Sequence, residues 1–277
     1  MFAKVAVAIA ASPTLEALLA ESKRLQDLLG SEILLLHVRR DSEQEEEEFL
    51  REAVNNSRFS PEKTQLFFEN GDPAETILDF CKKQKVDLLV AGALKKENIF
   101  RTYLGSIGRK IIRAANCSIL ILVDPSEQPN PFREIVVDGS EHPLTLKAVE
   151  AACLMGQKQQ ASHVHILKDI KLYGLTMAMA AEDSEGIYAE QRRNLIQAEV
   201  EHVRKYLQQV NTEGLPLNIK IISGKMGFEI SKFARKVEAD LIVTAGPQKK
   251  LGILDRIMTH DLEYLLADIP TNLLIIH

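Results

Sequence analysis

The sequence of 277 residues predicts an α/β protein made of two tandem domains, each a doubly wound five-stranded parallel sheet. Three observations lead to this prediction. Similar residues recur at constant spacing in the two halves, which indicates a duplicated domain. In each half, apolar stretches of strand length alternate with stretches of helical periodicity. A polar segment with three prolines, residues 124–131, separates the halves and is typical of an extended linker.

The repeat appears as two constant shifts along the chain. The matched pairs are Ser12 with Ser140 and His37 with His165 at a shift of 128, and Gly71 with Gly224, Ile77 with Ile230, and Asp87 with Asp240 at a shift of 153. The difference predicts an insertion of about 25 residues in the second copy, between residues 166 and 217. We therefore predict domains at residues 1–127 and 128–277.

In the first copy, strands and helices alternate. Continuous apolar stretches are typical of strands that are buried on both faces of a parallel sheet. Residues 14–29 have apolar side chains at helical spacing and end at Gly30, a common helix stop. Asp72 followed by Pro73 predicts the start of another helix, and residues 106–115 form the last. The predicted strands are Lys4–Ala10, Glu32–Val38, Lys63–Glu69, Val86–Ala91 and Ser118–Val123.

The second copy follows the same order, with a longer connection after its second strand. That connection contains a methionine-rich stretch beginning at Met177 and a charged helical segment from about Tyr188. The stretch is consistent with helix packing or with a cover over an apolar surface. The predicted strands are Glu134–Val137, His163–Leu167, Asn218–Ile222, Leu241–Ala245 and Asn272–Ile276.

Composition restricts the classes of function. The net charge is −5, from 34 basic and 39 acidic residues, which argues against a nucleic-acid-binding protein. No apolar stretch reaches the length of about 18 residues that a membrane span requires, and the apolar start of the chain is interrupted by Lys4. The three cysteines are far apart, as expected for buried thiols in a reducing compartment. We therefore expect a cytoplasmic protein without a membrane span.

A glycine-containing segment follows the fourth predicted strand, at the crevice where doubly wound sheets bind ligands. It carries Gly92, Gly105 and Ser106, in the spacing G-x2-G-x9-G-[S/T] except that Lys95 replaces the second glycine. This segment resembles the phosphate loop of the universal stress protein family (UspA-like proteins). The amino-acid sequences of the predicted strands at residues 35–38, 86–90 and 117–122 are also similar to those of that family. The resemblance covers nearly the whole chain, because each of the two copies resembles the family.

The resemblance implies a layered α/β fold of the adenine nucleotide alpha hydrolase-like or flavodoxin-like type. It also implies that the final strands of the two copies pair, so that the chain forms an intramolecular pseudo-dimer. ATP is the candidate ligand. The nucleotide-binding candidates are Gly92, Lys95, Gly105 and Ser106 in the first copy, with nearby charge from Lys96, Arg101 and Arg109, and Asp138 and Thr259 in the second.

Neither copy has every feature of an ATP site in this family. The first copy has Ala10 where the shift of 128 places Asp138 of the second. The second copy has Ala245, Gln248 and Met258 at the three glycine positions. Asp138 followed by Gly139 is also compatible with a simple turn, and Lys95 with a solvated side chain.

Two functions are therefore consistent with the sequence. The first is a stress-response signalling module that binds an adenine nucleotide in domain 1. The alternative is a nucleotide-free interaction module with degenerate ATP sites, which binds a protein or an apolar ligand. Both fit a pseudo-dimeric monomer or a homodimer. No arrangement of nucleophile and base is evident, so we predict no enzyme activity, with slow ATP hydrolysis left open.

Two histidines of the second copy, His163 and His165, are two residues apart on a predicted strand and so share a face. Such a pair can ligate a metal ion. The sequence shows no third ligand near them, and we predict no metal site.

Overall fold

The computed structural model of the chain describes residues 1–39, 44–95, 102–170, 185–249, 256–257 and 260–277. These residues form two compact units. Unit 1 comprises Met1–Pro131 together with Ala245–His277, and unit 2 comprises Phe132–Thr244. By their contacts, the last helix and strand of the second repeat thus belong to unit 1. The division into domains at residues 1–127 and 128–277 describes the sequence repeat, and it stays a prediction.

Unit 1 contains the α/β fold that the sequence predicts. Its elements are β1 (Lys4–Ala8), α1 (Leu15–Leu29), β2 (Glu32–Arg39), α2 (Gln44–Asn56), β3 (Thr64–Asn70), α3 (Pro73–Gln84), β4 (Leu88–Gly92), β5 (Leu94–Lys95), β6 (Thr102–Tyr103), α4 (Ser106–Ala114), β7 (Ser118–Leu122), and, from the end of the chain, β12 (Gln248–Lys249), β13 (Arg256–Ile257), α8 (His260–Ala267) and β14 (Asn272–Ile276). The sheet has the strand order β3-β2-β1-β4-β7-β14, and all neighbouring strands are parallel except the last pair.

The final strands of the two repeats pair, as predicted. Strand β14 runs antiparallel to β7, with Leu274 opposite Leu120. The pairing is reinforced at one end by the side chain of Asn272, whose Oδ1 accepts a hydrogen bond of 2.8 Å from the Val123 amide. Pairing satisfies backbone groups that an exposed sheet edge would leave open.

The strands are buried because they are apolar on both faces. All five residues of β7 are buried, as are Ile33–His37 of β2. Helix α3 begins where the sequence predicts, since Asp72 Oδ1 accepts a hydrogen bond of 3.1 Å from the Glu75 amide and Pro73 occupies the first helical position. Two short antiparallel ribbons, β5 with β6 and β12 with β13, were not predicted from the sequence.

Unit 2 is a smaller α/β unit. Its elements are β8 (Glu134–Asp138), α5 (Thr145–Gln159), β9 (His163–Asp169), α6 (Glu185–Leu207), β10 (Leu217–Ile222), α7 (Met226–Lys236) and β11 (Leu241–Ala245). The strand order is β10-β9-β8-β11, and all neighbouring strands are parallel. The longest helix, α6, lies in the connection that the sequence identifies as longer in the second copy. The methionine-rich stretch that begins at Met177 lies outside the described residues.

The structure corrects the first of the two repeat shifts. Lys4 and Glu134 both start the central strand of their unit, and each carbonyl accepts from the amide of the matched aspartate, Asp87 or Asp240. The first residues of these two strands are 130 positions apart, and the first residues of β2 and β9 are 131 positions apart, so the shift of 128 between the copies is wrong. After the insertion the shift is larger, since the first residues of α3 and α7 are 153 positions apart. The difference between 153 and 131 gives an insertion of 22 residues in the second copy.

Candidate functional site

A cavity of about 310 Å³ lies in unit 1, and its lining includes the last residues of two neighbouring strands, Ala8 of β1 and Gly92 of β4. The strand order reverses between β1 and β4, so this is the crevice where doubly wound sheets bind ligands. Gly105 and Ser106 also line the cavity. The structure thus brings together three of the four candidates in the first copy.

Helix α4 begins at this cavity. Gly105 is its N-cap residue, with the extended backbone angles φ −65° and ψ 175°, and as a glycine it has no side chain to cap the first amides. No acidic residue lies in the first turn, and Ser106 is exposed at its first position. The first N–H groups of the helix, which have no partner within the helix, and the helix dipole therefore favour an anion at this end.

The rest of the cavity lining is apolar. Five isoleucines contribute to it, together with leucine and alanine side chains. They are Ile77, Ile107, Ile111, Ile119 and Ile121, with Leu89, Ala91 and Leu104. The cavity therefore combines a polar mouth, made by the start of α4, with an apolar interior.

Arg109 does not add free positive charge to the cavity, contrary to the expectation from sequence. Its guanidinium forms an ion pair with Glu263 of α8. It also donates to the backbone oxygens of Leu104, at 3.2 Å, and Leu266, at 3.3 Å. Arg113 approaches the same Glu263 carboxylate at 3.3 Å. Arg109 thus joins α4 to α8.

The other loop candidates lie at the limit of what the structure describes. Lys95 belongs to β5, but its side chain is outside the described part. Lys96, Arg101 and Thr259 are outside the described residues altogether.

The residue at the Asp138 position of the first copy is Ala8, not Ala10. Each is the last residue of its strand, and each pairs with the second strand in the same register, Ala8 with Leu36 and Asp138 with Leu167. The first copy therefore lacks the carboxylate, as expected, but the methyl group that replaces it lines the cavity itself.

In unit 2, the Asp138 carboxylate is occupied by neighbouring groups. Oδ1 accepts from the Ser140 amide at 2.9 Å and from the Ser140 hydroxyl at 2.5 Å, while Oδ2 accepts from the buried Thr244 hydroxyl at 3.1 Å. The first of these bonds, from residue i+2, is an Asx turn. The turn interpretation of Asp138 thus has a direct structural basis.

Two further side chains lie close enough to Asp138 to be affected by its charge. Burial lowers the pKa of His142, and the Asp138 charge acts against that shift. Burial also raises the pKa of Tyr206, and the charges of Asp138 and Glu199 raise it further. Within the described part of the chain, His142 Nε2 and the Tyr206 hydroxyl are buried without a hydrogen-bond partner.

The other end of the same strand carries a cluster that the sequence analysis missed. Glu134, the first residue of β8, accepts hydrogen bonds of 2.9 Å at Oε1 from His163 Nδ1 and at Oε2 from His165 Nε2. Burial raises the pKa of Glu134, but the hydrogen bonds and the charges of the two histidines together lower it more, so the pKa of the carboxyl lies below its ordinary value. The expected histidine pair is present, and the structure supplies the third ligand atom that the sequence did not show. Strand pairing, which places Glu134 opposite His163, could have found it.

The fold and the crevice define a class of protein, the doubly wound α/β proteins that bind ligands at the carboxyl ends of parallel strands. Comparison with known proteins finds similarity to one family. The model of the universal stress protein family matches residues 39–122. A universal stress protein from Archaeoglobus fulgidus has a similar structure, with a TM-score of 0.69 at 14% identity, over 100% of this chain and 98% of that one. Because that similarity covers the whole chain, it shows that the chain has the fold of two tandem domains.

Two universal stress proteins are similar in sequence. One from Methanocaldococcus jannaschii is 36% identical over 58 residues, which is 21% of this chain and 34% of that protein. One from Bacillus subtilis is 26% identical over 85 residues, 31% of this chain and 57% of that protein. The matches thus span between a third and three fifths of these relatives. These matches show a UspA-like protein, in which residues 39–122 match the universal stress protein family.

The helices were also compared with the requirements of a membrane span. In the part of the chain that the structure describes, none is both long and apolar enough to cross a bilayer.

Proposed function

We propose that the protein is a stress-response signalling module whose unit 1 binds the phosphate groups of an adenine nucleotide at the start of α4. The observation that carries this proposal is the convergence of Gly92, Gly105 and Ser106 on one cavity at the reversal of strand order. The match of residues 39–122 to the universal stress protein family supports it.

The chemistry of the mouth suits a phosphate group. Backbone N–H groups at a helix start donate to phosphate oxygens, and the dipole of the nine-residue α4 adds a favourable potential. A Cβ built at Gly92 would meet no atom of the described residues within 4 Å, so a ligand can approach the backbone there. The Ser106 hydroxyl can donate a further hydrogen bond.

Recognition of the nucleoside is expected to be weaker than recognition of the phosphates. Ala8 stands where the second copy has Asp138, so unit 1 offers no carboxylate to a ribose hydroxyl at that position. A hydrogen bond to a charged group contributes about 1.5–3 kcal/mol, so unit 1 lacks about that much of the affinity that a ribose contact at this position would add.

The test is calorimetry with ATP and Mg²⁺ on the full chain and on two substitutions at one position. Ser106→Asp places a negative charge where the phosphate binds, and it also suits the helix dipole, so we expect at least tenfold weaker binding with no loss of thermal stability. Ser106→Asn is the uncharged control of the same size, and its affinity should stay within about threefold of the wild type.

Two results would refute the proposal. One is the absence of binding heat for the wild type at millimolar ATP. The other is a Ser106→Asp variant that binds as tightly as the Ser106→Asn variant.

We further propose that the nucleotide is bound and not turned over. Among the described residues that line the cavity, Ser106 alone has a polar side chain, and the others offer carbon atoms and backbone groups. None of these groups is a base that could activate a water molecule. Phosphate release from ATP, followed over hours in a coupled assay, should not exceed that of the Ser106→Asp variant. Release that disappears only in that variant would indicate a slow ATPase.

The apolar interior favours a second candidate function, binding of a small apolar ligand. Isoleucine methyl resonances in NMR spectra provide the test, since Ile111, Ile119 and Ile121 line the cavity. Saturable shifts of these methyl groups on addition of benzene, without any response to ATP, would favour this candidate over the nucleotide.

A further inference from the structure

The cluster of Glu134, His163 and His165 in unit 2 presents three potential ligand atoms to one point. One ligand atom from each residue lies within 4.8 Å of the others. The ligands come from the first residues of two paired strands, because Glu134 and His163 face each other in the parallel register of β8 and β9. His165 follows on the same face of β9.

The donor set suits a transition metal. Two imidazole nitrogens and one carboxylate oxygen form one of the ligand sets that Zn²⁺ accepts, with a water in the fourth position. Hard cations such as Mg²⁺ and Ca²⁺ prefer oxygen ligands alone. Ligands at about 2.0–2.1 Å from a tetrahedral zinc ion are about 3.4 Å apart, so small side-chain rotations would bring these three atoms around an ion.

The surroundings hold the ligands in place. His165 is 6% exposed, and its ring meets the ring of Phe233 edge-on at 5.2 Å. The Glu134 backbone is fixed by Asp240, whose Oδ2 accepts from the Glu134 amide at 2.8 Å. The side chain of His163 is 48% exposed, which leaves a path from solvent to the cluster.

We propose that Glu134, His163 and His165 form a binding site for a divalent transition-metal ion, with zinc as the preferred ion. The site lies at the amino ends of β8 and β9, whereas Asp138 lies at the carboxyl end of β8, about 13 Å along the strand. Bound zinc therefore cross-links two strands of unit 2 and stabilises the unit.

The experiment uses the tag-free full chain after removal of metal by a chelator. Titration with zinc chloride is followed by calorimetry, with magnesium chloride as the comparison ion, and thermal unfolding is recorded with and without zinc. The variants are His163→Ala and Glu134→Gln. The control is His202→Ala, which removes an equally exposed histidine that also faces a carboxylate, Glu199, at 3.8 Å.

The site predicts one zinc ion per chain, no comparable binding of magnesium, and at least tenfold weaker zinc binding in both variants, with the control unchanged. Zinc at one hundred times its Kd should raise the Tm of the wild type by about 5 °C. X-ray absorption at the zinc edge should show two imidazole ligands.

Two results would overturn the proposal. One is a wild-type protein that takes up no zinc at 100 µM, roughly the weakest affinity at which the site would count as specific. The other is uptake that persists equally in His163→Ala and Glu134→Gln. Circular dichroism in the presence of chelator separates lost binding from lost folding. If His163→Ala unfolds, His163→Gln, which keeps a polar side chain at this half-exposed position, takes its place.

Discussion

Replacement of Asp138 distinguishes a structural carboxylate from a nucleoside contact. The structure engages this side chain with the Ser140 amide, the Ser140 hydroxyl and the Thr244 hydroxyl. If these bonds are its role, Asp138→Ala should destabilise unit 2 even without any ligand. A nucleoside contact alone would leave the stability of the free protein unchanged.

The size of the effect follows from what the substitution leaves behind. The Thr244 residue is 3% exposed, so its hydroxyl would lose its partner in a place that water does not reach easily. An unpaired buried hydroxyl costs about 1–3 kcal/mol, and Ser140, which is half-buried, can recover part of its bonding from water. We therefore expect Asp138→Ala to lower the free energy of unfolding of unit 2 by about 2–3 kcal/mol. Asp138→Asn keeps the shape and one acceptor oxygen, and should cost about 1 kcal/mol.

The substitution Asp138→Asn also has an electrostatic consequence. The Asp138 charge acts to raise the pKa of His142 against the lowering effect of burial, so removal of the charge should lower the pKa of His142 further. A titration of the His142 ring protons by NMR measures this change. An unchanged pKa of His142 would mean that the carboxylate does not act on the ring as the structure indicates.

Hydrogen exchange followed by mass spectrometry measures the stability of unit 2 locally, which avoids the assumption that the whole chain unfolds in one step. Asp27→Ala is the control, because its carboxylate is 65% exposed and pairs with Lys23 within α1. That variant should change stability by less than about 0.5 kcal/mol. The reasoning is refuted if Asp138→Ala leaves exchange in unit 2 within about 0.5 kcal/mol of wild type, a threshold of about twofold in rate.

Three other consequences can be measured. The lowered pKa of Glu134 stabilises the folded state above the ordinary carboxyl value of 4.5, and this contribution, of about 1 kcal/mol or less, disappears as the pH falls through the folded pKa. The metal-free wild type should therefore lose Tm more steeply than Glu134→Gln on acidification, and parallel curves would contradict this. Gly139→Ala should destabilise unit 2 by about 1–3 kcal/mol in hydrogen exchange, because the added Cβ would lie 2.8 Å from Ile166 Cγ2 and 3.0 Å from the Leu167 oxygen. Burial raises the pKa of Cys153 to about 11 and leaves the residue 1% exposed, so iodoacetamide at pH 8 should label it only after denaturation.

The fold was largely predictable from local patterns. Buried strands of a parallel sheet are continuous apolar runs, and Leu241–Ala245 and Asn272–Ile276 have the predicted bounds. Strand ends were less predictable, since β1 stops at Ala8 and not at Ala10. This small error mattered for the site. The sequence prediction assigned the position without a carboxylate to Ala10, whereas the structure assigns it to Ala8, which lines the cavity.

The repeat shift failed for a related reason. Single matches such as Ser12 with Ser140 and His37 with His165 are chance identities, whereas strand register is fixed by backbone pairing between segments far apart in sequence. Arg109 is a second example. The sequence shows a cation near a phosphate loop, but the ion pair with Glu263 depends on a helix more than 150 residues later.

The amino-acid sequence by itself determined the alternation of strands and helices, the duplication, the linker, and the glycine that precedes α4. These features depend on periodicity and on residue types within a few positions of each other. Only the tertiary structure decided which charges are already neutralised, that Asp138 caps its own turn, and that Glu134 joins His163 and His165. Each of these depends on a distance between strands or helices, and such distances are fixed when the chain packs, not by any local pattern.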